Sequence, residues 1–114
     1  MPNAYHNVFF TVRAGISDQE VIARFRRYRD AAVSKGYIKS ATDFSAGKVV
    51  IPAGEGLRQM TGGFTWAVTI RLDGREALDR YIQESPADLQ ACNIIDLFTQ
   101  PPTFMAHDHV DQSA

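Results

Sequence analysis

Cysteine is nearly absent: Cys92 is the one such residue among 114. A single thiol closes no intrachain disulfide, and without a CxxC pair there is no thiolate cage for a metal, so the chain suits a reducing compartment. An excess of either charge is lacking as well. Twelve Lys and Arg stand against 13 Asp and Glu, a net charge of −1, which removes the basic footprint that binding a phosphate backbone needs. The opening MPNAYHNVFF has no basic segment ahead of a long apolar one, and no window approaches the ~20 apolar residues of a membrane span. The expectation is a cytoplasmic protein with no nucleic-acid and no membrane partner. The motifs GxSxG, HExxH and GxGxxG and a Walker loop are missing too, so the common hydrolase, zinc-protease and nucleotide chemistries lose their signatures and no cofactor is expected.

What is present suffices for a core: 45% of residues are hydrophobic and 22% charged, the balance of a globular chain. The length implies one domain over 1–114, with an ordered part at about 5–110, a flexible loop at about 47–63 and a tail at 111–114. YHNVFFTVR, from Tyr5 to Arg13, is β-branched and aromatic throughout and reads as a strand covered on both faces. Ser17 and Glu20 have capping-box spacing, and Val21, Phe25, Tyr28 and Ala32 then recur at helical period until Gly36 ends the helix. The crowded arginines Arg24, Arg26, Arg27 and Arg29 read as its solvated face.

A weaker strand is expected over Tyr37 to Phe44, followed by the Gly- and Pro-containing stretch. FTWAVTIRL, Phe64 to Leu72, is the clearest strand, with Trp66, Val68, Ile70 and Leu72 on its core face. Asp73 is expected to cap a second helix over Arg75 to Gln83, broken near Ser85-Pro86 and resuming from Ala87 to Phe98. In that resumed piece Asp88 reads as a first-turn acid. A last strand is expected over Thr103 to Val110. The order β-α-β, loop, β-α-β folds by the right-handed crossover rule into an α+β, ferredoxin-like antiparallel sheet with both helices on one face. The other face, with Tyr5, Phe9, Thr65 and Ala67, then calls for a second copy of the chain and predicts a homodimer.

In this topology the start of the first strand lies beside the end of the last, which brings His6 toward His107, Asp108 and His109. On the helix side His6 shares an aromatic-walled pocket with Val8, Phe10, Phe25, Tyr28, Trp66, Val68 and Tyr81. Such a pocket suits a planar aromatic or polyketide-like molecule, and an imidazole oriented by Asp108 is a general base of near-neutral pKa. A satisfied strand-end histidine and two core tyrosines are the alternative. His107 and His109, two apart on a strand, share a face and form a candidate metal pair, although terminal histidines are more often solvated.

The segments AYHNVFFTVRAGISDQEVIARFRRYR and GFTWAVTIRLDGREALDRYIQESPAD resemble the stress-responsive dimeric α/β-barrel family, over about His6 to Asp88. That family includes a plant olivetolic acid cyclase and a plant hydroxynitrile lyase. The resemblance implies a first-strand histidine at His6, pocket aromatics at Phe25 and Tyr28, and a second-helix tyrosine at Tyr81. Two positions depart from the cyclase pattern: Trp66 stands where it has a third-strand histidine, and Asp88 where it has its proposed base. The resulting expectation is a cofactor-free enzyme of polyketide cyclase or lyase type, with His6, Tyr81, Asp108 and Asp88 as catalytic candidates. Val8, Phe10, Phe25, Tyr28, Trp66 and Val68 are the substrate-binding candidates. The alternatives are a non-catalytic stress-responsive or ligand-binding barrel and, more remotely, a relative of antibiotic-biosynthesis monooxygenases.

Overall fold

Alternation of apolar and polar residues in two strands sets the sheet. The computed structural model describes residues 3–50, 64–99 and, as backbone, 103–108; the expected loop over 51–63 and the tail over 111–114 lie outside the described residues. Strand β1, Ala4–Phe10, buries Ala4, His6, Val8 and Phe10 and leaves the residues between them half-covered. Strand β3, Trp66–Leu72, runs antiparallel beside it with Trp66, Val68, Ile70 and Leu72 on the same buried face.

The four-stranded sheet has the order β2-β3-β1-β4, all neighbours antiparallel, with β2 at Phe44–Lys48 and β4 at Thr103–Asp108. Together with the two helices this is the ferredoxin-like α+β arrangement.

Helix α1, Asp18–Ser34, starts where Ser17 in extended conformation accepts the Glu20 amide at 3.1 Å. The Glu20 carboxylate turns forward along the helix to Arg24, at 2.9 Å. Its buried stripe is Val21, Phe25, Tyr28 and Ala32. The helix ends in a Schellman motif: Gly36, at φ +76°, supplies the left-handed residue, and the amides of Gly36 and Tyr37 donate to Val33 and Ala32. Tyr37 and Ile38 are thereby folded into the core. The strand expected over Tyr37 to Phe44 is therefore corrected: that stretch is a reversal and a short 3-10 turn at Ala41–Asp43, and β2 begins at Phe44. Gly47 and Lys48, expected in the loop, belong to β2.

Helix α2 runs unbroken from Arg75 to Ala91 with Pro86 inside it, so the expected break at Ser85-Pro86 does not occur. Pro86 removes one backbone donor, but Leu78, Tyr81, Ser85 and Asp88 lie on one buried stripe that spans the site, and their packing carries the helix through. Asp88 is consequently in the last turn, not the first. Asp73 is not the cap either: Gly74, at φ +91°, occupies that position, and Asp73 pairs with Lys39 at 3.1 Å.

Beyond α2 the chain reverses at Asn93, whose φ is +57°, and a 3-10 turn at Ile95–Leu97 returns it to the sheet, where Val12 bridges Phe98. Arg24, expected in solvent, is instead a clamp on this return. It donates to the Asn93 carbonyl at 3.1 Å and pairs with Asp96, which also receives Arg13. Ile94 and Leu97 are sealed in the core as a result.

Candidate functional site: a cavity between the helices and the sheet

Both helices rest on the face of the sheet that carries His6, Val8, Val68 and Ile70, and they leave a cavity of ≈ 320 Å³ above it. That volume is in the ~300–1,000 Å³ range of small-molecule sites. The floor is His6 and Val8 from β1 with Val68 and Ile70 from β3; α1 supplies Phe25 and Tyr28. Tyr81, Ile82, Ser85, Pro86 and Leu89 of α2, with Ile94 and Phe98 of the return, complete the described wall.

The polar tips converge on one side. The Tyr28 and Tyr81 hydroxyls are hydrogen-bonded to each other, and Ser85, one turn beyond Tyr81, interacts with both phenols. The His6 ring stands edge-on to Tyr81, centroids 5.3 Å apart. Burial lowers the His6 pKa from its ordinary value of 6.5, favouring the neutral imidazole. Burial pushes the Tyr28 phenol up to about 12, against the pull of its bond to Tyr81, and raises Tyr81 further. The cavity thus holds a neutral imidazole, able to take a proton, beside neutral phenols able to donate hydrogen bonds to a developing oxyanion.

Asp88 is behind this wall and outside the described lining. Its carboxylate, 6% exposed, is bonded by the Lys35 ammonium and by the Tyr37 hydroxyl at 3.2 Å. Tyr37 packs edge-on against Tyr81, centroids 5.8 Å apart, and carries the Arg80 guanidinium over its other side at 5.1 Å.

Two expected wall residues are also elsewhere. Phe10 is stacked between Phe25 and Phe98, at 5.4 and 4.9 Å, and so closes one end of the core without bordering the cavity. Trp66, its cross-strand partner, borders a separate crevice with Ile22, Arg26 and Phe44. The β1/β4 register sets Ala106 opposite His6, His107 opposite Tyr5 and Asp108 opposite Ala4. His109 lies outside the described residues. Among the described residues no three His, Cys, Asp or Glu side chains gather as a metal site would require.

Ile70, Ile82, Ser85, Pro86, Leu89, Ile94 and Phe98 were not foreseen in the wall. The usable signal was helical spacing carried through Pro86, which sets Ser85 one turn after Tyr81. The Lys35 and Tyr37 anchors of Asp88 had no sequence signal, since they come from the end of the other helix.

No family model matches the chain, and no curated protein matches it. Solved structures do. The chain is similar to the Arabidopsis thaliana protein At3g17210, at 19% identity and a TM-score of 0.68 over 97% of both chains. It is similar to the hydroxynitrile lyase of Passiflora edulis, at 13% identity and a TM-score of 0.65, covering 97% of this chain and 95% of that one. A dimeric ferredoxin-like protein of unknown function from Jannaschia sp. CCS1 matches at 11% identity and a TM-score of 0.61, over 96% and 99%. At these identities the likeness is one of fold. No described helix is long and apolar enough to cross a membrane.

Proposed function

We propose that the chain is a cofactor-free acid/base enzyme of the polyketide cyclase or lyase type, a member of the stress-responsive dimeric α/β-barrel family. Its substrate is a small aromatic or polyketide-like molecule. The observation that carries this reading is the apolar cavity into which one imidazole and two phenols converge. Likeness of fold to a hydroxynitrile lyase supports the class of chemistry without naming the reaction.

In this reading His6 takes a proton from a substrate carbon adjacent to a carbonyl. The electron pair moves onto the adjacent carbonyl oxygen, which accepts the one phenol proton that the Tyr28–Tyr81 bond leaves free. The imidazolium then returns the proton to the product. Asp108 orients His6, and Asp88 supports the phenols from behind. The working particle is a homodimer, because the outer face of the sheet carries Tyr5, Phe9 and Phe64 around one Asn7–Thr69 hydrogen bond, a mixed surface suited to a second copy.

Deuterium uptake at the central carbon of a β-diketone, followed by NMR, tests the chemistry. The parent protein is expected to accelerate it and His6→Ala to lose ~100-fold to ~10,000-fold of that acceleration. Binding without exchange would instead identify a ligand-binding barrel, and the absence of both binding and exchange would refute the reading. Light scattering should give twice 12.7 kDa; a monomer would refute the dimer.

A further inference from the structure

We infer that the cavity selects an uncharged ligand over a carboxylate of the same shape, and that Asp88 is a specificity-determining residue for this choice. The inference rests on the cavity being the ligand site. A carboxylate entering it would leave water for a wall of Val8, Phe25, Val68, Ile70, Leu89 and Ile94, and a desolvated anion needs a paired cation to be tolerated. The polar groups that it would meet are a buried imidazole favoured in its neutral form and two protonated phenols. Those donors can serve a ketone or enol oxygen as well as an anion, so they give a carboxylate little in return for its lost hydration.

The buried charge behind the phenols has the wrong sign. Asp88 is in the turn after Ser85, and its charge acts on Tyr28, Tyr81 and Tyr37 alike. Its counter-ion Lys35 offsets it only in part, because the Lys35 side chain is 50% exposed and screened by water whereas the Asp88 side chain is 7% exposed. The field reaching the phenols from behind is therefore negative. A neutral carbonyl or hydroxyl ligand is indifferent to it and a ligand that enters as an anion is repelled, whereas an enolate formed in place has the His6 imidazolium beside it.

The experiment compares para-hydroxyacetophenone with para-hydroxybenzoate, matched in ring and size, by calorimetry at about pH 7.5. The parent should bind the ketone at least ~100-fold more tightly, with a ceiling of roughly 1,000-fold because an acid of pKa ~4.3 can enter protonated. Asp88→Asn should tighten the carboxylate by about tenfold relative to the ketone, the scale of one buried charge acting across a partly screened interior. Ile82→Lys adds a cation at a wall position that is 48% exposed, where folding tolerates it, and should likewise favour only the carboxylate. Equal binding of the two probes by the parent would overturn the selectivity while leaving the cavity a ligand site. An unchanged ratio in a folded Asp88→Asn protein would overturn the role of Asp88. Binding of neither probe would remove the cavity as a ligand site and both readings with it.

Discussion

The Tyr28–Tyr81 contact can be dissected with a double-mutant cycle. Each phenol is buried and the two hydroxyls are bonded to each other across 53 positions of sequence. Tyr28→Phe deletes one oxygen and leaves the Tyr81 hydroxyl short of its main partner, and Tyr81→Phe does the reverse. Leaving a buried hydroxyl under-satisfied costs ~1–3 kcal/mol, so each single variant should lose that much stability, roughly 4–13 °C in Tm for a chain of this size. In the double variant both polar groups are gone and two ring edges meet, a replacement that is close to neutral. Its loss should therefore fall below that of either single variant and well short of their sum, giving a coupling at least as large as one single loss, ~1–3 kcal/mol. Urea unfolding followed by circular dichroism at neutral pH, where both phenols are protonated, measures all four corners. Losses that add would refute the shared bond and, with it, the polar side of the cavity.

The lowered pKa of His6 has a definite sign: the folded protein binds its proton less readily than the unfolded chain does. Stability from this source is complete above the unfolded value of ~6.5 and is lost as pH falls from there through the folded pKa. The difference in unfolding free energy between parent and His6→Gln should therefore shift across that window by ~1.4 kcal/mol per unit separating the two pKa values, and a parallel pair of pH profiles would contradict it. Ser17→Ala removes the acceptor of the Glu20 amide and should cost ~0.5–2 kcal/mol in denaturant unfolding; an unchanged midpoint would show that the cap contributes nothing. Leu97→Ala opens a void where this fully buried side chain packs beneath the Arg24–Asp96 clamp and should cost ~2–5 kcal/mol. A loss below 1 kcal/mol would mean that this segment is not docked as described.

Those tests separate what local pattern fixes from what packing fixes. Period-two alternation in residues 64–72 and helical period from Val21 to Ala32 stated the core faces of β3 and α1 directly, because a repeat that matches a backbone geometry leaves one way to bury it. The Ser17 cap and the Gly36 ending were legible for the same reason, each being a local chemical answer to an unpaired backbone group. The order of elements then implied the sheet, since handedness and short connections leave few alternatives.

Tertiary structure decided the rest. Pro86 predicts a break by local propensity, yet α2 continues because Tyr81, Ser85 and Asp88 are packed on one stripe across it. Trp66 and Phe10 carry the right chemistry for a pocket wall, but the stack of Phe10 on Phe25 and Phe98 closes their end of the sheet and moves the cavity toward His6. Asp88 turns from the cavity because Lys35 and Tyr37, from the end of α1, offer its carboxylate two donors. The near-neutral composition and the single cysteine argue, as expectations from the sequence alone, against a nucleic-acid partner and a thiolate metal cage. Which imidazole, phenols and carboxylate share one small volume depended on contacts between residues some 50 positions apart, and no local pattern encodes those.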